Sequence, residues 1–184
     1  MFHVEQNLSN EIVLRLLREP AHLRGLSGTL QVNHMTIARK LAVLQNDNIV
    51  DYTKEGKNKV YFLKKTIESR NLAMASELYR QSRAVAHYPL LRGVIQSVLA
   101  IPEIRFALIF GSYAKGTAHE GSDIDLFIET PDRELKKRLE QQNSLVSVKI
   151  GPFDRESPLI REIMSNHIII RGVEDYFEKT QFFT

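Results

Sequence analysis

Two short apolar runs, residues 105–110 and 123–128, are joined by a segment that opens on Gly111-Ser112 and closes on Ser122-Asp123, and no other feature constrains the chain as much. Runs of this length next to glycine read as buried strands. The second run carries Asp123 and Asp125 one residue apart. Strand side chains alternate between faces, so both carboxylates project the same way. Like charges that close are unfavourable unless a cation lies between them. Oxygen donors suit Mg²⁺, or Mn²⁺, which takes one or two protein carboxylates and completes its shell with phosphate oxygens. The Gly111-Ser112 turn offers backbone N–H groups and a hydroxyl to an anion at a helix start. These are the parts of a site for metal-dependent phosphoryl or nucleotidyl transfer.

The set Gly111, Ser112, Gly116, Ser122, Asp123, Asp125 and Leu126 resembles the polymerase-β-like nucleotidyltransferase superfamily, and within it the small minimal nucleotidyltransferases. The resemblance covers about the last half of the chain. It implies that Asp123 and Asp125 are catalytic metal ligands, with Mg²⁺ or Mn²⁺ as cofactor. It implies nucleotide contacts from Gly111, Ser112, Lys115, Gly116 and Ser122, with Lys115 facing the pyrophosphate. The nucleotide is an NTP, ATP being the one expected. The family pattern also has a third carboxylate, expected on the strand Leu145–Ile150. Alternation puts Val146, Val148 and Ile150 on one face of that strand and Ser147 and Lys149 on the other. Neither of the latter is a carboxylate, so the third ligand is expected to be missing. Asp154, Glu120 and Glu129 are the remaining substitutes.

The N-terminal third reads differently. Helices are expected over 8–19, ended by Pro20, over 21–30, and over 34–46, capped by Asn33 with Ile37, Ala38, Leu41 and Leu44 inward. Two strands follow, Ile49–Thr53 and Lys59–Leu63, around the turn-like Lys54-Glu55-Gly56-Lys57-Asn58. Three helices and a β-hairpin in this order resemble the winged helix-turn-helix domain over residues 8–65. That resemblance implies binding to double-stranded DNA through Asn33, His34, Thr36, Arg39 and Lys40 on the third helix and Lys54, Lys57 and Lys59 on the wing. Charge agrees in direction: residues 1–65 hold 10 Lys/Arg against 6 Asp/Glu, and residues 66–184 hold 15 against 16.

Residues 66–86 read as a connector helix with Ile67, Leu72, Ala75, Leu78 and Tyr79 apolar, able to pair with its copy in a homodimer. The expected layout is a winged helix at 1–65, a connector at 66–87 and a nucleotidyltransferase domain at 88–184. The fold class is α+β, with a small mixed sheet and flanking helices in the last domain. Helices are expected at 90–100, 132–143 and 155–165, with a closing strand at 167–171. Cysteine is absent, which excludes disulfides and thiolate metal sites. No apolar run is long enough to span a membrane and no signal-peptide pattern opens the chain, so a cytoplasmic protein is expected. The histidines, His3, His22, His34, His87, His119 and His167, lack ligand spacing.

The leading expectation is an enzyme that moves NMP from an NTP to an unidentified acceptor, such as a protein hydroxyl or a small molecule, in a protein that docks on DNA. The alternative is a non-catalytic, nucleotide-sensing transcription regulator with a degenerate nucleotidyltransferase domain. A third is an assembly module in which both domains bind protein.

Overall fold

Helical spacing of apolar residues builds the first part of the molecule. The structure, a computed structural model, describes residues 2–184. Helices α1 (Phe2–Leu16), α2 (Leu23–Leu30) and α3 (His34–Asn46) bury Ile12, Val13 and Leu16, then Leu26, then Ile37, Leu41 and Leu44. Each such side chain contributes about 1.5–3 kcal/mol by leaving water. Asn33 caps α3: its side-chain oxygen accepts from the Met35 N–H at 2.8 Å. α1 ends at Leu16, ahead of the expected position, because a residue before proline avoids the helical region and the chain must leave the helix early.

Between α1 and α2 lies an element with no counterpart among the expected ones. Ala21 and His22 form β1, which pairs antiparallel with β3 (Asn58–Leu63) through Tyr61 and Val60. β3 also pairs with β2 (Val50–Glu55), so the sheet order is β1-β3-β2. The expected five-residue loop between the hairpin strands is really a two-residue turn, Gly56-Lys57, with Glu55 and Asn58 already paired. Two-residue turns match the strand twist best, and the pairing therefore runs to the tip.

Helix α4 (Ile67–His87) corrects the expected apolar stripe. Ile67 and Leu78 are exposed, and the buried positions are Ser69, Ala73, Ser76 and Glu77. Small side chains at helical spacing let another element approach closely. Ser76 Oγ donates to the Leu72 carbonyl at 2.7 Å and stands 3.1 Å from Asn10 Oδ1, within reach of the same single proton.

Residues 1–79 with 183–184 form one compact unit and residues 80–182 another. The second unit is a four-stranded mixed sheet in the order β6-β5-β4-β7. Its elements are α5 (Leu91–Leu99), β4 (Ala107–Phe110), α6 (Gly111–Lys115), β5 (Ile124–Ile128), α7 (Arg133–Gln142), β6 (Val146–Ile150), α8 (Pro158–Ser165), β7 (Ile168–Arg171) and α9 (Val173–Thr180). Only β5 and β6 run parallel; the other two pairs are antiparallel. One sheet face carries Ile109, Leu126 and Val148 under α5 and α7, in a continuous apolar core. The other face is divided. At one end Phe127 meets Phe153, which in turn meets Tyr176. At the other end Asp125 and Ser147 stay half-buried and polar.

α9 was not expected from the sequence, where Gly172 reads as the close of the strand at 167–171. Gly172 instead turns the chain into α9 with φ 83°, and a β-carbon there would lie 2.8 Å from Phe106 and 2.9 Å from the Arg105 carbonyl. Arg171 ties this end of the sheet to α5. Its guanidinium donates to the carbonyls of Leu99, Ile101 and Ile104 at 2.6–2.9 Å, satisfying groups left open where α5 ends. β7 is an edge strand, and Gln81 near the end of α4 donates to its Ile169 carbonyl at 2.7 Å, which blunts that edge. Among the described residues no helix is long and apolar enough to cross a membrane.

Candidate functional site

Strand pairing fixes the centre of the site. Phe110, the last residue of β4, is register partner to Asp125 on β5, so the turn that follows β4 begins beside that carboxylate. Gly111 opens this turn with φ 69°, and a β-carbon on it would fall 2.2 Å from Asp125 Oδ2 and 3.2 Å from its carboxyl carbon. Only glycine allows both the left-handed backbone and this approach. The Gly-Ser pair and the Asp-x-Asp pair, distant in sequence, are thus one object in space. Asp123 lies just before β5 rather than within it, and is exposed.

Burial raises the Asp125 carboxyl above the usual carboxylate range, and the charge of Asp123 raises it further. Lys149 opposes this, Glu162 reinforces it, and Lys115 opposes it. A negative charge at Asp125 is therefore held against its preference, and a bound cation would relieve it. The donor set fits one hard divalent ion: two carboxylates, with room in the shell for phosphate oxygens. Among the described residues no group of three His, Cys, Asp or Glu side chains is placed to hold a metal.

Ser147 is the register partner of Asp125 on the neighbouring parallel strand, and Lys149 is that of Phe127. The position beside Asp125 thus carries a hydroxyl. Two of the three substitutes considered from the sequence are engaged elsewhere. Glu129 accepts from the Phe153 N–H and pairs with Lys179 at 2.7 Å. Asp154 accepts from the Glu156 N–H in its own turn, and Glu120 is exposed on the loop before β5. The carboxylate that does reach Asp125 electrostatically, besides Asp123, is Glu162 on α8. Nothing in the linear sequence marks it, because α8 lies well beyond the motif and is brought back by the fold.

The remaining turn residues hold the loop in place. Ser122 Oγ accepts from the His119 N–H at 3.0 Å, and Tyr113 donates to the Ser122 carbonyl at 3.3 Å. Gly116 caps α6 with φ 74°. Ser112 is half-buried and Lys115 is exposed, its Nζ 2.8 Å from Glu162 Oε1. His167 is buried, with Nδ1 3.0 Å from the Ile163 carbonyl, a local packing role. The His3 side chain lies outside the described residues.

In the first unit the basic side chains gather differently. His34, Lys57 and Lys59 line one open groove of about 510 Å³ together with His22 and Arg24. The sequence gives no sign of His22 and Arg24 as groove residues, because β1 is what sets them against the hairpin. Thr36, Arg39 and Lys54 are exposed and Lys40 is half-buried. Asn33 spends its side-chain oxygen on the α3 cap. Lys59 Nζ lies 3.9 Å from the centre of the Tyr52 ring, a cation–π contact.

Comparison with known proteins finds one family match, and it lies within the second unit. Residues 91–170 match the family model of the nucleotidyltransferase domain. The span runs from α5 into β7 and includes Gly111, Ser112, Asp123 and Asp125. A solved crystal structure of a toxin–antitoxin with AMP-PNP contains a chain 26% identical to this one, over 48% of this chain and 77% of that chain, with a TM-score of 0.36. Among curated proteins there is no match. The family match covers 80 of the 184 residues, and over that span the chain is similar to nucleotidyltransferase domains.

Proposed function

We propose that the second unit binds an NTP with a divalent cation and transfers NMP to an acceptor hydroxyl. The observation that carries this reading is the seating of Asp125 against Gly111 inside the span matched by the nucleotidyltransferase family model. Asp123 and Asp125 would hold Mg²⁺ or Mn²⁺, which supplies neutralisation of the triphosphate when bound. Gly111, Ser112, Gly116 and Ser122 would set the shape of the phosphate turn, and Lys115 would meet the departing pyrophosphate. In the reaction the acceptor oxygen bonds to the α-phosphorus and the bond to the bridging oxygen breaks. Pyrophosphate leaves and the hydroxyl proton passes to solvent.

Ser147 beside Asp125 favours a second reading at the same site: one ion held well, the nucleotide bound, and transfer slow, as in a sensor. Purified protein with Mg²⁺ and α-labelled NTPs, alone and with cell lysate, separates the two. Label appearing on an acceptor, and lost in the Asp123→Asn/Asp125→Asn double variant, supports transfer. Metal-dependent NTP binding without transfer, with the rate raised by Ser147→Asp, supports the sensor. Neither binding nor transfer defeats both.

For the first unit the proposed role is docking on double-stranded DNA in the manner of a winged helix, in a cytoplasmic protein that forms a homodimer through α4. Three helices, a hairpin and a groove with His22, Arg24, His34, Lys57 and Lys59 along it support the DNA contact.

A further inference from the structure

Lys115 and Glu162 stand 47 residues apart in sequence, on α6 and α8, yet their side chains meet at 2.8 Å. No local rule of helix or turn brings them together. Lys115 is the last residue of the helix that Gly111-Ser112 opens. Its partner in this structure is a carboxylate, an oxygen acceptor of the same kind as phosphate but with less charge. Both side chains are about half exposed, at 42% and 46%, so the pair is neither locked in a core nor free in solvent. The contact also stands within electrostatic reach of Asp125, where the two charges act with opposite sign.

We propose that Glu162 is a positioning residue that holds Lys115 over the site before nucleotide arrives and is displaced from it by the triphosphate. This rests on the reading of the second unit as nucleotide-binding. A triphosphate offers Lys115 more negative charge than one carboxylate does, so the exchange runs toward the ligand. Glu162 thereby lowers affinity for the triphosphate. Lys115 also acts on the Asp125 carboxylate through its charge, but its hydrogen bond goes to Glu162.

The test uses the full chain and inorganic tripolyphosphate with Mg²⁺ as probe, titrated calorimetrically. An exposed ion pair of this kind sets the expected size, roughly 1.5- to 5-fold. Glu162→Gln should bind the probe tighter by that factor, Glu162→Asp should stay near the parent, and Lys115→Ala should bind more weakly. In the Lys115→Ala background, Glu162→Gln should change affinity little. A second readout needs no change in affinity: the ε-carbon resonance of labelled Lys115 should shift on Glu162→Gln and shift again in the parent when the probe is added. Equal binding by parent and Glu162→Gln, or the same gain with and without Lys115, overturns the role of Glu162 and leaves the nucleotide reading standing. Parent protein that binds neither the probe nor any Mg²⁺–NTP overturns both.

Discussion

The two units hold their charged side chains in opposite ways. In the second unit Asp125 is half-buried on a central strand, and its carboxylate leaves no space for a side chain on Gly111. Backbone register fixes it. In the first unit Arg24, His34, Lys57 and Lys59 border an open groove, and Lys57 and Lys59 reach it from an exposed hairpin. Lys59 lies over the Tyr52 ring at 3.9 Å, while Arg24, His34 and Lys57 are exposed. The contrast is what the two proposed roles would demand. Aligning a phosphorus with an incoming oxygen tolerates errors of well under an ångström. Neutralising a polyanion tolerates loose stems, because counterion release rewards nearby charge whatever its detailed geometry.

The sharpest way to break this contrast is Gly111→Ala. The new methyl would fall on the Asp125 carboxylate, and the left-handed backbone would add about 1–2 kcal/mol of strain. The carboxylate is the end of a side chain and can swing away, so the unit should still fold with a lowered Tm. Displaced Asp125, however, no longer stands where a cation needs it. Transfer or Mg²⁺-dependent NTP binding should fall by about a hundredfold. Full binding in a folded Gly111→Ala protein would mean that register does not set this site.

How much could be read from sequence follows the same division. The strand that carries Asp125, the Gly-Ser turn and the alternation Val146, Val148 against Ser147, Lys149 were legible, because period-two burial and glycine punctuation are local signals, although Asp123 falls just before the strand. The absence of a carboxylate on β6 was legible too, and β5–β6 register sets Ser147 beside Asp125. Glu162 was not, since its relation to Lys115 exists only once α8 has packed. α9 was hidden behind Gly172, which reads as a stop but acts as a close-approach turn. β1 is two residues long and paired only with distant Tyr61 and Val60, so no window of neighbouring residues could signal it. The buried stripe of α4 differs from the expected one because serine, alanine and glutamate carry no strong apolar signal, although Ser69, Ala73, Ser76 and Glu77 are the residues inside.

The DNA proposal sharpens the contrast from the other side. Arg39→Ala, Arg24→Ala and Lys57→Ala should each weaken duplex binding and each reduce the dependence of log K on log salt by about 1. The losses should be similar and close to additive, as for charges that act independently. A single residue that removes nearly all affinity, with no change in salt slope, would show a fixed site like that around Asp125. Duplex binding absent even at low salt would remove the DNA role.

The smallest expected effect concerns stability. Burial first, and Asp123 second, raise the Asp125 carboxyl above its unfolded value. Below the unfolded value the group is protonated in both states and exerts no penalty. As pH rises past the raised folded value it is ionised in both states, and the folded state alone bears the unfavourable charge. Asp125 therefore destabilises the second unit at neutral pH and not in acid. Asp125→Asn should raise Tm at pH 7, and the gain should shrink to nothing as pH falls below the ordinary carboxylate range. Saturating Mg²⁺ should raise the Tm of the parent and not of Asp125→Asn, since ligand that binds only the folded state stabilises it by mass action. Equal Tm for parent and variant across the pH range would mean that Asp125 is better solvated than its place beside Gly111 implies. The site would then resemble the open groove of the first unit more than it differs from it.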